Sequence, residues 1–496
     1  MIHNHKRFMI LTTLAVAILT PTVVAQHLTL RDAVEIALKN NERIRQYEER
    51  LKQKNYQNLE AWGNFLPSVT LTGSYNYMND PLQIDLDPIR QAMITLQAGT
   101  QTKLADVYNR LAGGPGLTAP QQAAVLSGNT TSLQSAVPAF VETLKEQEFK
   151  SASFVGVQPL FLGGKLLAAK KFASTELESA EIELKKTKDE VAQEAITTYM
   201  AVVLLNDVLT TRRNVLEGMR HHDSNAQRLL KEGLLANHQA LRAEVAVAEA
   251  DRNLFDDENK RSLALIALRN ILGLPEDEPL DISDSLVFHN AQDSLCMLLQ
   301  QARVNHPMLQ LIAQKKDAAS QKFNSERAEF LPQIAAFGKY ELYPHYLSAL
   351  EPRWVVGVQV SLNIFNGGKK FARLESAAHL EREVDAIEAE ATKKINILVT
   401  KNYTDMTNSR NRFFKLKSNL SLAHENLRLM SNRFQTGLGT SLDVIDAQLI
   451  LEKNEIESKT SLFDYYKSMT ELYTAAGNPQ KVLELWNSKE NKDEAH

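Results

Sequence analysis

Asp443 and Asp446 stand three residues apart just after Thr440, so on a helix they occupy neighbouring positions of one face. Carboxylates grouped this way could attract cations and repel one another. Thr440 is also placed to cap such a helix. Asp443 would then fall at the third helical position, where a carboxylate serves unpaired backbone N–H groups. The two roles are compatible, and the residue types alone leave both open. Other candidates for chemistry are weaker. His221, His222 and Asp223 form a possible metal cluster, but adjacent histidines on a helix point about 100° apart. No partner spacing matches a metal site, so these side chains are expected to face solvent. Cys296 reads as a buried small residue, and His306, before Pro307, as part of a helix kink. Gly163-Gly164-Lys165 lacks the Gly-x-x-x-x-Gly-Lys-Ser/Thr frame of a phosphate loop. No nucleophile–base constellation stands out, no cofactor is implied, and an enzyme is not expected.

The elements that must position the aspartates come in two copies. Val155-Gly156-Val157-Gln158 and Phe161-Leu162-Gly163-Gly164-Lys165 return as Val358-Gln359 and Phe365-Asn366-Gly367-Gly368-Lys369. From each lysine a proline-free run of 68 residues, Lys165–Glu232 or Lys369–Thr436, leads to a glycine turn. The turns are Gly233-Leu234-Leu235 and Gly437-Leu438-Gly439. Return helices are expected over about Asn237–Leu272 and Ser441–Ala476, ended by Gly273 and Gly477. Leu442, Leu449, Ile456 and Phe463 recur every seven residues, the spacing of a coiled-coil seam. Each copy starts with a shorter helix, about 30–65 or 293–330, that ends at Leu66-Pro67 or Leu331-Pro332. Glu and Lys abundance over Glu176–Glu194 reads as a solvated helix face.

Strand-like runs follow each Leu-Pro. Val69, Leu71, Gly73, Tyr75 and Tyr77 alternate with Ser68, Thr70, Thr72, Ser74 and Asn76. The matching run is Ile334 to Leu342. Return strands cover about 153–160 and 354–362, the latter with Trp354, Val356, Val358, Val360 and Leu362 on one face. Such period-2 patterning suits a sheet with lipid on one side and water on the other. Four strands are too few to close a barrel, and hydrocarbon leaves no partner for an open edge. If these strands enter a membrane, several chains must contribute. Two hairpins in a soluble sandwich remain the competing reading, which has difficulty with the long helices. The first copy carries an insert, 79–150, between its strands. Helical pieces are expected there over about 89–109 and 131–148, and the insert should emerge at the rim opposite the long helices, facing the cell exterior.

Whole-chain properties agree. Residues 1–25 read as an export signal: Lys6 and Arg7, an apolar stretch from Phe8 to Leu19, then Val23-Val24-Ala25. No cysteine stands at the expected new N-terminus, so no lipid anchor is expected there. A single cysteine forbids disulfides within the chain. No later stretch of 18 apolar residues exists, so no helical membrane span is expected. The net charge of −4 argues against a nucleic-acid partner. The organisation expected is an export signal (1–25), a first repeat (26–272), a linker (273–292), a second repeat (293–477) and a polar tail (478–496).

From Leu28 to Pro479 the chain resembles the TolC-like outer-membrane efflux proteins. The marks are the two Leu-Pro steps, the two Phe-x-Gly-Gly-Lys links and the run Arg433-Phe434-Gln435-Thr436-Gly437-Leu438-Gly439-Thr440-Ser441-Leu442-Asp443-Val444-Ile445-Asp446-Ala447-Gln448. The resemblance implies a mixed α and transmembrane β fold. In it a homotrimer closes a 12-stranded β-barrel in the outer-membrane lipid, continuous with a long periplasmic α-helical barrel. It implies a passive duct that meets an inner-membrane pump through a periplasmic adaptor and passes drugs, dyes, metals or secreted polypeptides. It places Asp443 and Asp446 at a periplasmic constriction, where three chains would set six carboxylates around the axis, favouring cations and making opening depend on pH. The chain departs from the family at two gate positions. Phe434 stands for a tyrosine and Gly439 for an arginine, so that latch cannot form. Arg433 could pair with an aspartate or serve as a surface charge. Gly233, Leu234 and Leu235, Gly437 and Leu438, and also Asn237 and His238, are candidate adaptor contacts. The alternative function is a periplasmic structural or adaptor coiled-coil protein without a pore.

Overall fold

The computed structural model describes residues 28–348 and 350–487. The expected export signal lies outside them. The chain runs α1 (Leu30–Asn40), α2 (Glu42–Gly63), β1 (Ser68–Tyr77), β2 (Leu82–Asp85), α3 (Asp87–Leu111), α4 (Ala119–Ala136), β3 (Val141–Lys145), β4 (Glu148–Leu162), α5 (Lys165–Lys231) and α6 (Asn237–Leu272). It continues α7 (Leu295–Asn305), α8 (Pro307–Ala328), β5 (Gln333–Glu341), β6 (Trp354–Ser361), α9 (Lys369–Gln435), α10 (Ser441–Ala475) and α11 (Lys481–Asn487). The helix–strand–strand–long helix–return helix order is thus written twice. The left-handed glycines are duplicated too: Gly163 and Gly367, Gly164 and Gly368, Gly233 and Gly437, Gly273 and Gly477, each pair offset by the same number of residues. α5 and α9 have 67 residues each, about 100 Å at 1.5 Å per residue.

The chain divides into two compact units, each drawing on both copies. The first comprises residues 58–171 and 321–378. Its sheet has the order β1-β4-β5-β6, all antiparallel, with β1 and β6 at the edges. Directly paired residues share a face. Leu71, Phe154, Tyr340 and Trp354 therefore lie on one side, as do Val69, Gly156, Gly338 and Val356. This side is apolar and largely exposed: Val69 is 70% and Val356 69% accessible. The other face carries Thr72 and Ser74, whose hydroxyls meet those of Ser153 and Ser151 at 3.0 and 2.7 Å. On that face Phe149 stacks on Tyr346, from a short 3-10 turn between β5 and β6, with ring centroids 5.3 Å apart. Lys145 reaches over both rings and pairs with Glu351 at 2.9 Å. The link from β4 to α5 is tight. A Cβ on Gly163, at φ +64°, would lie 2.5 Å from the Ala328 carbonyl oxygen.

The second unit comprises the remaining residues. Its main core gathers α1, α5, α6, α7, α9, α10 and the linker between the copies, with Leu30, Ile196, Met200, Leu268, Leu298 and Met469 fully enclosed. The linker is pinned by α10. Tyr465 donates to the His289 carbonyl (2.8 Å), Tyr466 to the Val287 carbonyl (2.5 Å) and Tyr473 to the Asp293 carboxylate (2.6 Å). Gly273 and Gly477 occupy matching seats: a Cβ would fall 2.8 Å from the Asn40 oxygen and 2.7 Å from the Asn305 oxygen.

The structure departs from or refines the expected pattern at several places. The first copy opens with two helices, not one. Asn41 is extended, its side-chain amide donates to the Ile271 carbonyl (2.9 Å), and its side-chain oxygen accepts from Arg43 N–H (3.0 Å). His306 interrupts the second copy in the same way, as expected, and its Nδ1 accepts from Met308 N–H (3.1 Å). In the insert, helix does not cover 131–148. α4 starts behind a Thr118–Gln121 capping box and ends before Pro138, and β3 then pairs with β2. The glutamates of α5 keep much of their side chains in solvent while also pairing with α2: Glu176, Glu183, Glu190 and Glu194 meet Lys54, Arg50 and Arg43. Within the chain α10 buries a further heptad row, Val444, Leu451, Ser458, Tyr465 and Leu472, beside the expected one, of which Leu442 and Leu449 are exposed and Phe463 packs on the core. Within the described part of the expected polar tail, Val482 of α11 is buried and Leu483, Leu485 and Trp486 pack on the core. Cys296 is exposed, not buried. Among the described residues no helix is long and apolar enough to cross a membrane.

Candidate functional site at the helix turns

Both long helices end in the same turn. Gly233 (φ 74°) and Gly437 (φ 72°) adopt the left-handed conformation that lets the chain reverse. Leu234 N–H returns to the Leu229 carbonyl and Leu438 N–H to the Arg433 carbonyl, each at 2.8 Å. Chain reversal leaves Leu234 and Leu438 exposed at 72% and 74%. Leu235, expected beside Leu234 as a contact residue, instead packs into an apolar cluster with Ala226, Ala243, Phe434 and Val444. Asn237 and His238 are exposed.

Phe434 is 2% accessible and rests against His222, ring centroids 4.7 Å apart. His222 Nε2 and Ser441 Oγ are 2.8 Å apart, both groups buried. The backbone N–H of Ser441 donates to Gln239 Oε1 at 3.3 Å. One histidine of the His221-His222-Asp223 run is therefore an interior residue joining α5 to the start of α10, which corrects the expectation of solvent exposure. His221 remains at the surface. Burial pushes the His222 imidazole below its ordinary value, with Asp223 opposing the shift.

Thr440 caps α10 in a full capping box. Asp443 Oδ2 accepts from Thr440 N–H (2.8 Å) and from its hydroxyl (2.9 Å), and Thr440 Oγ1 accepts from Asp443 N–H (3.3 Å). Those bonds, followed by the field of Arg433, hold the Asp443 carboxyl below its usual range. Asp443 and Asp446 are both exposed, while Val444 and Ala447 between and beyond them face inward. Arg433 is exposed and donates to the Leu438 carbonyl at 3.3 Å, bracing the turn. Gly439 is tightly held: a Cβ there would lie 3.2 Å from Arg433 Cβ and from Phe434 N. A larger side chain would have to move that turn.

A buried ion cluster went unread in the sequence. Arg212 of α5 reaches Asp257 of α6 at 2.8 Å and also contacts Glu452 of α10, and Lys260 meets Asp257 at 2.6 Å. Asp257 and Glu452 are 5% and 7% accessible, so their charges depend on these partners. Among the described residues no cluster of His, Cys, Asp or Glu is arranged to hold a metal.

Known proteins share this architecture. Over 184 residues the chain is 23% identical to the outer membrane protein TolC of Vibrio cholerae, a match spanning 36% of this chain and 42% of that protein. The solved outer membrane protein VceC of Vibrio cholerae superposes with a TM-score of 0.68 at 17% identity, covering 90% of this chain and 96% of that one. The open-state MtrE outer membrane channel of Neisseria gonorrhoeae gives 0.67 at 16% identity, covering 91% and 89%. The CmeC outer membrane channel of Campylobacter jejuni gives 0.68 at 13%, covering 92% and 88%. These likenesses show a mixed α/β, TolC-like fold. The family model described as outer membrane efflux protein matches residues 122–274 and 298–478, well over half of the chain. By that match the chain belongs to the outer membrane efflux protein family, is an outer-membrane protein and is not an enzyme.

Proposed function

We propose that the chain is the outer-membrane duct of an efflux assembly and gives passive passage to substrates delivered by an inner-membrane pump and a periplasmic adaptor. The observation that carries this reading is the four-stranded sheet with two free edges, β1 and β6, and one exposed apolar face. An apolar face suits hydrocarbon, and hydrocarbon leaves no partner for unpaired strand backbone. Three copies joined edge to edge would make a closed barrel of 12 strands with the serine and threonine face lining an aqueous lumen. The repeats at 26–272 and 293–477 then supply two strands each.

Asp443 and Asp446 line the periplasmic constriction in this reading. Their exposure on one face of α10, beside a turn, leaves them free to face an axis shared by three chains. The exposed tips at Leu234 and Leu438, with Gly233 and Gly437, meet the adaptor. Closure rests on packing around Phe434 and on the aspartates, since Phe434 has no hydroxyl and Gly439 no side chain.

Conductance of the purified protein in planar bilayers tests the reading. Discrete conductance steps blocked by multivalent cations are expected. The variant carrying Asp443→Asn and Asp446→Asn should need at least about tenfold more cation for the same block, in line with the loss of paired carboxylates. Unchanged block would defeat the assignment of these residues. Absence of conductance would favour the poreless coiled-coil alternative.

A further inference from the structure

The insert helix α3 carries its largest apolar side chains on the face turned away from its partner helix. Toward α4 it presents Ile94, Ala98 and Thr102, all buried. On the side turned from α4 stand Leu96 (75% accessible), Leu104 (50%), Val107 (49%) and Leu111 (76%), and Ile89 (60%) and Met93 (66%) continue the row where they also line an open groove with Leu133, Val137 and Phe140. With Thr100 these positions step by four, three, four, four, three and four residues, so 89, 100 and 111 are spaced by eleven. An eleven-residue repeat keeps one stripe straight or slightly right-handed along a helix, the pattern of helices packed lengthwise on one another. A stripe of this size left in water would be costly, and from Leu96 to Leu111 nothing within the described part of this chain covers it.

The occupant that fits is the same helix from other copies. The insert leaves the sheet from β1, a free edge strand: Met78 N–H bonds the Gln147 carbonyl at 2.8 Å, and β2 and β3 continue the β1–β4 pair. The element that needs a neighbouring copy therefore feeds the element whose apolar face is uncovered. A lipid surface fits less well. A helix lying on a membrane is flanked by free lysines and arginines. On α3, Arg90 is paired with Asp87 and Arg110 with Asp106 at 3.0 Å, leaving Lys103 as the remaining cation of that helix.

We propose that the α3 helices of three copies pack stripe to stripe about the shared axis, forming a helical cap over the exterior mouth of the duct. This rests on the trimeric reading above and goes beyond it by assigning the insert a partner. On a threefold axis each stripe residue meets its own counterpart, so one cysteine per chain is enough to trap the contact.

In the full-length chain with Cys296→Ser, single substitutions Leu96→Cys and Val107→Cys on the stripe, and Gln101→Cys off it, would be oxidised in outer membranes. A parallel sample would carry paired cysteines in β1 and β6. Leu96→Cys and Val107→Cys should form disulfide-linked pairs at least about tenfold more than Gln101→Cys, a contrast that follows from facing against averted positions. If the β1–β6 pair links chains while the stripe cysteines link no more than Gln101→Cys, the cap is overturned and the trimer stands. If neither links, both readings fall. A bimane dye on Leu96→Cys, in vesicles containing spin-labelled phospholipid, gives a second measurement. Shielding from the lipid quencher supports the cap, and strong quenching overturns it in favour of a lipid contact.

Discussion

His222 Nε2 lies 2.8 Å from Ser441 Oγ, a buried bond between the end of α5 and the first residue of α10. It ties the two hairpins together one turn from the exposed aspartates. Burial keeps this imidazole from protonating at its ordinary value of 6.5, whereas an unfolded chain imposes no such restraint. The unfolded state therefore binds the proton more readily as pH falls. Stability linked to His222 is whole above about pH 6.5 and declines below it. Thermal melts across pH 8 to 5 should show this decline, and His222→Gln, which cannot charge, should reduce it, the remainder belonging to His289 and His306, which burial also holds below their ordinary value. His222→Ala should cost about 1–3 kcal/mol by stranding Ser441. An acid sensitivity left unchanged by His222→Gln would assign the effect to those two histidines.

The two aspartates are not equivalent. Asp443 is held by Thr440, whereas Asp446 lies outside the capping box. Thr440→Ala should cost about 1 kcal/mol, and Asp443→Ala should also lower stability, whereas Asp446→Ala should leave the melt within about 0.5 kcal/mol of the parent. Because its bonds hold the Asp443 carboxyl below the usual carboxylate range, its charge should persist further into acid than that of an uncapped aspartate, and any block that depends on it should be lost at a higher pH in Thr440→Ala. Denaturant titrations of the three variants check the first statement, and conductance against pH the second.

Arg212 serves two carboxylates that are almost wholly enclosed. Arg212→Ala should be strongly destabilising, by about 3–5 kcal/mol, because Asp257 and Glu452 lose their shared counter-ion. Lys260 is mostly exposed and bonds only Asp257, so Lys260→Ala should cost less than about 1 kcal/mol. Chemical denaturation in detergent would compare them, and equal effects would contradict the ranking.

Equivalent glycines should respond unequally. Gly163 and Gly367 share positive φ, but a Cβ meets the Ala328 carbonyl at 2.5 Å in the first case and nothing within 4 Å in the second. Gly367→Ala should cost about 1–2 kcal/mol from backbone conformation alone. Gly163→Ala should cost more, since it must also displace backbone. Yield of folded protein in the membrane and its melting midpoint would measure the difference.

What the sequence made legible was local and repeated: Leu-Pro helix ends, glycine turns, Thr440 as a cap, and the alternation of Trp354, Val356, Val358 and Val360. What it hid depended on phase or on distant partners. Over a 67-residue helix no single periodic face persists, so His222 looked as solvent-facing as His221. The heptad of α10 reads equally from Leu442 or from Val444, and it is the neighbouring helices of the same chain that bury the second row. Asn41 breaks its helix for a bond to Ile271, which is remote in sequence. In the insert, Pro120 and Pro138 bracket α4 and could have been read as its limits.

Barrel closure requires that free sheet edges on different copies join. With Cys296→Ser as background, Thr72→Cys in β1 and Gln359→Cys in β6 lie on the same polar face. The β6 position can be scanned two residues either way to find register. Oxidation in outer membranes should give covalent dimers and trimers and nothing larger. Chains that stay monomeric at every register, in protein shown to be membrane-inserted, would contradict a barrel closed between copies.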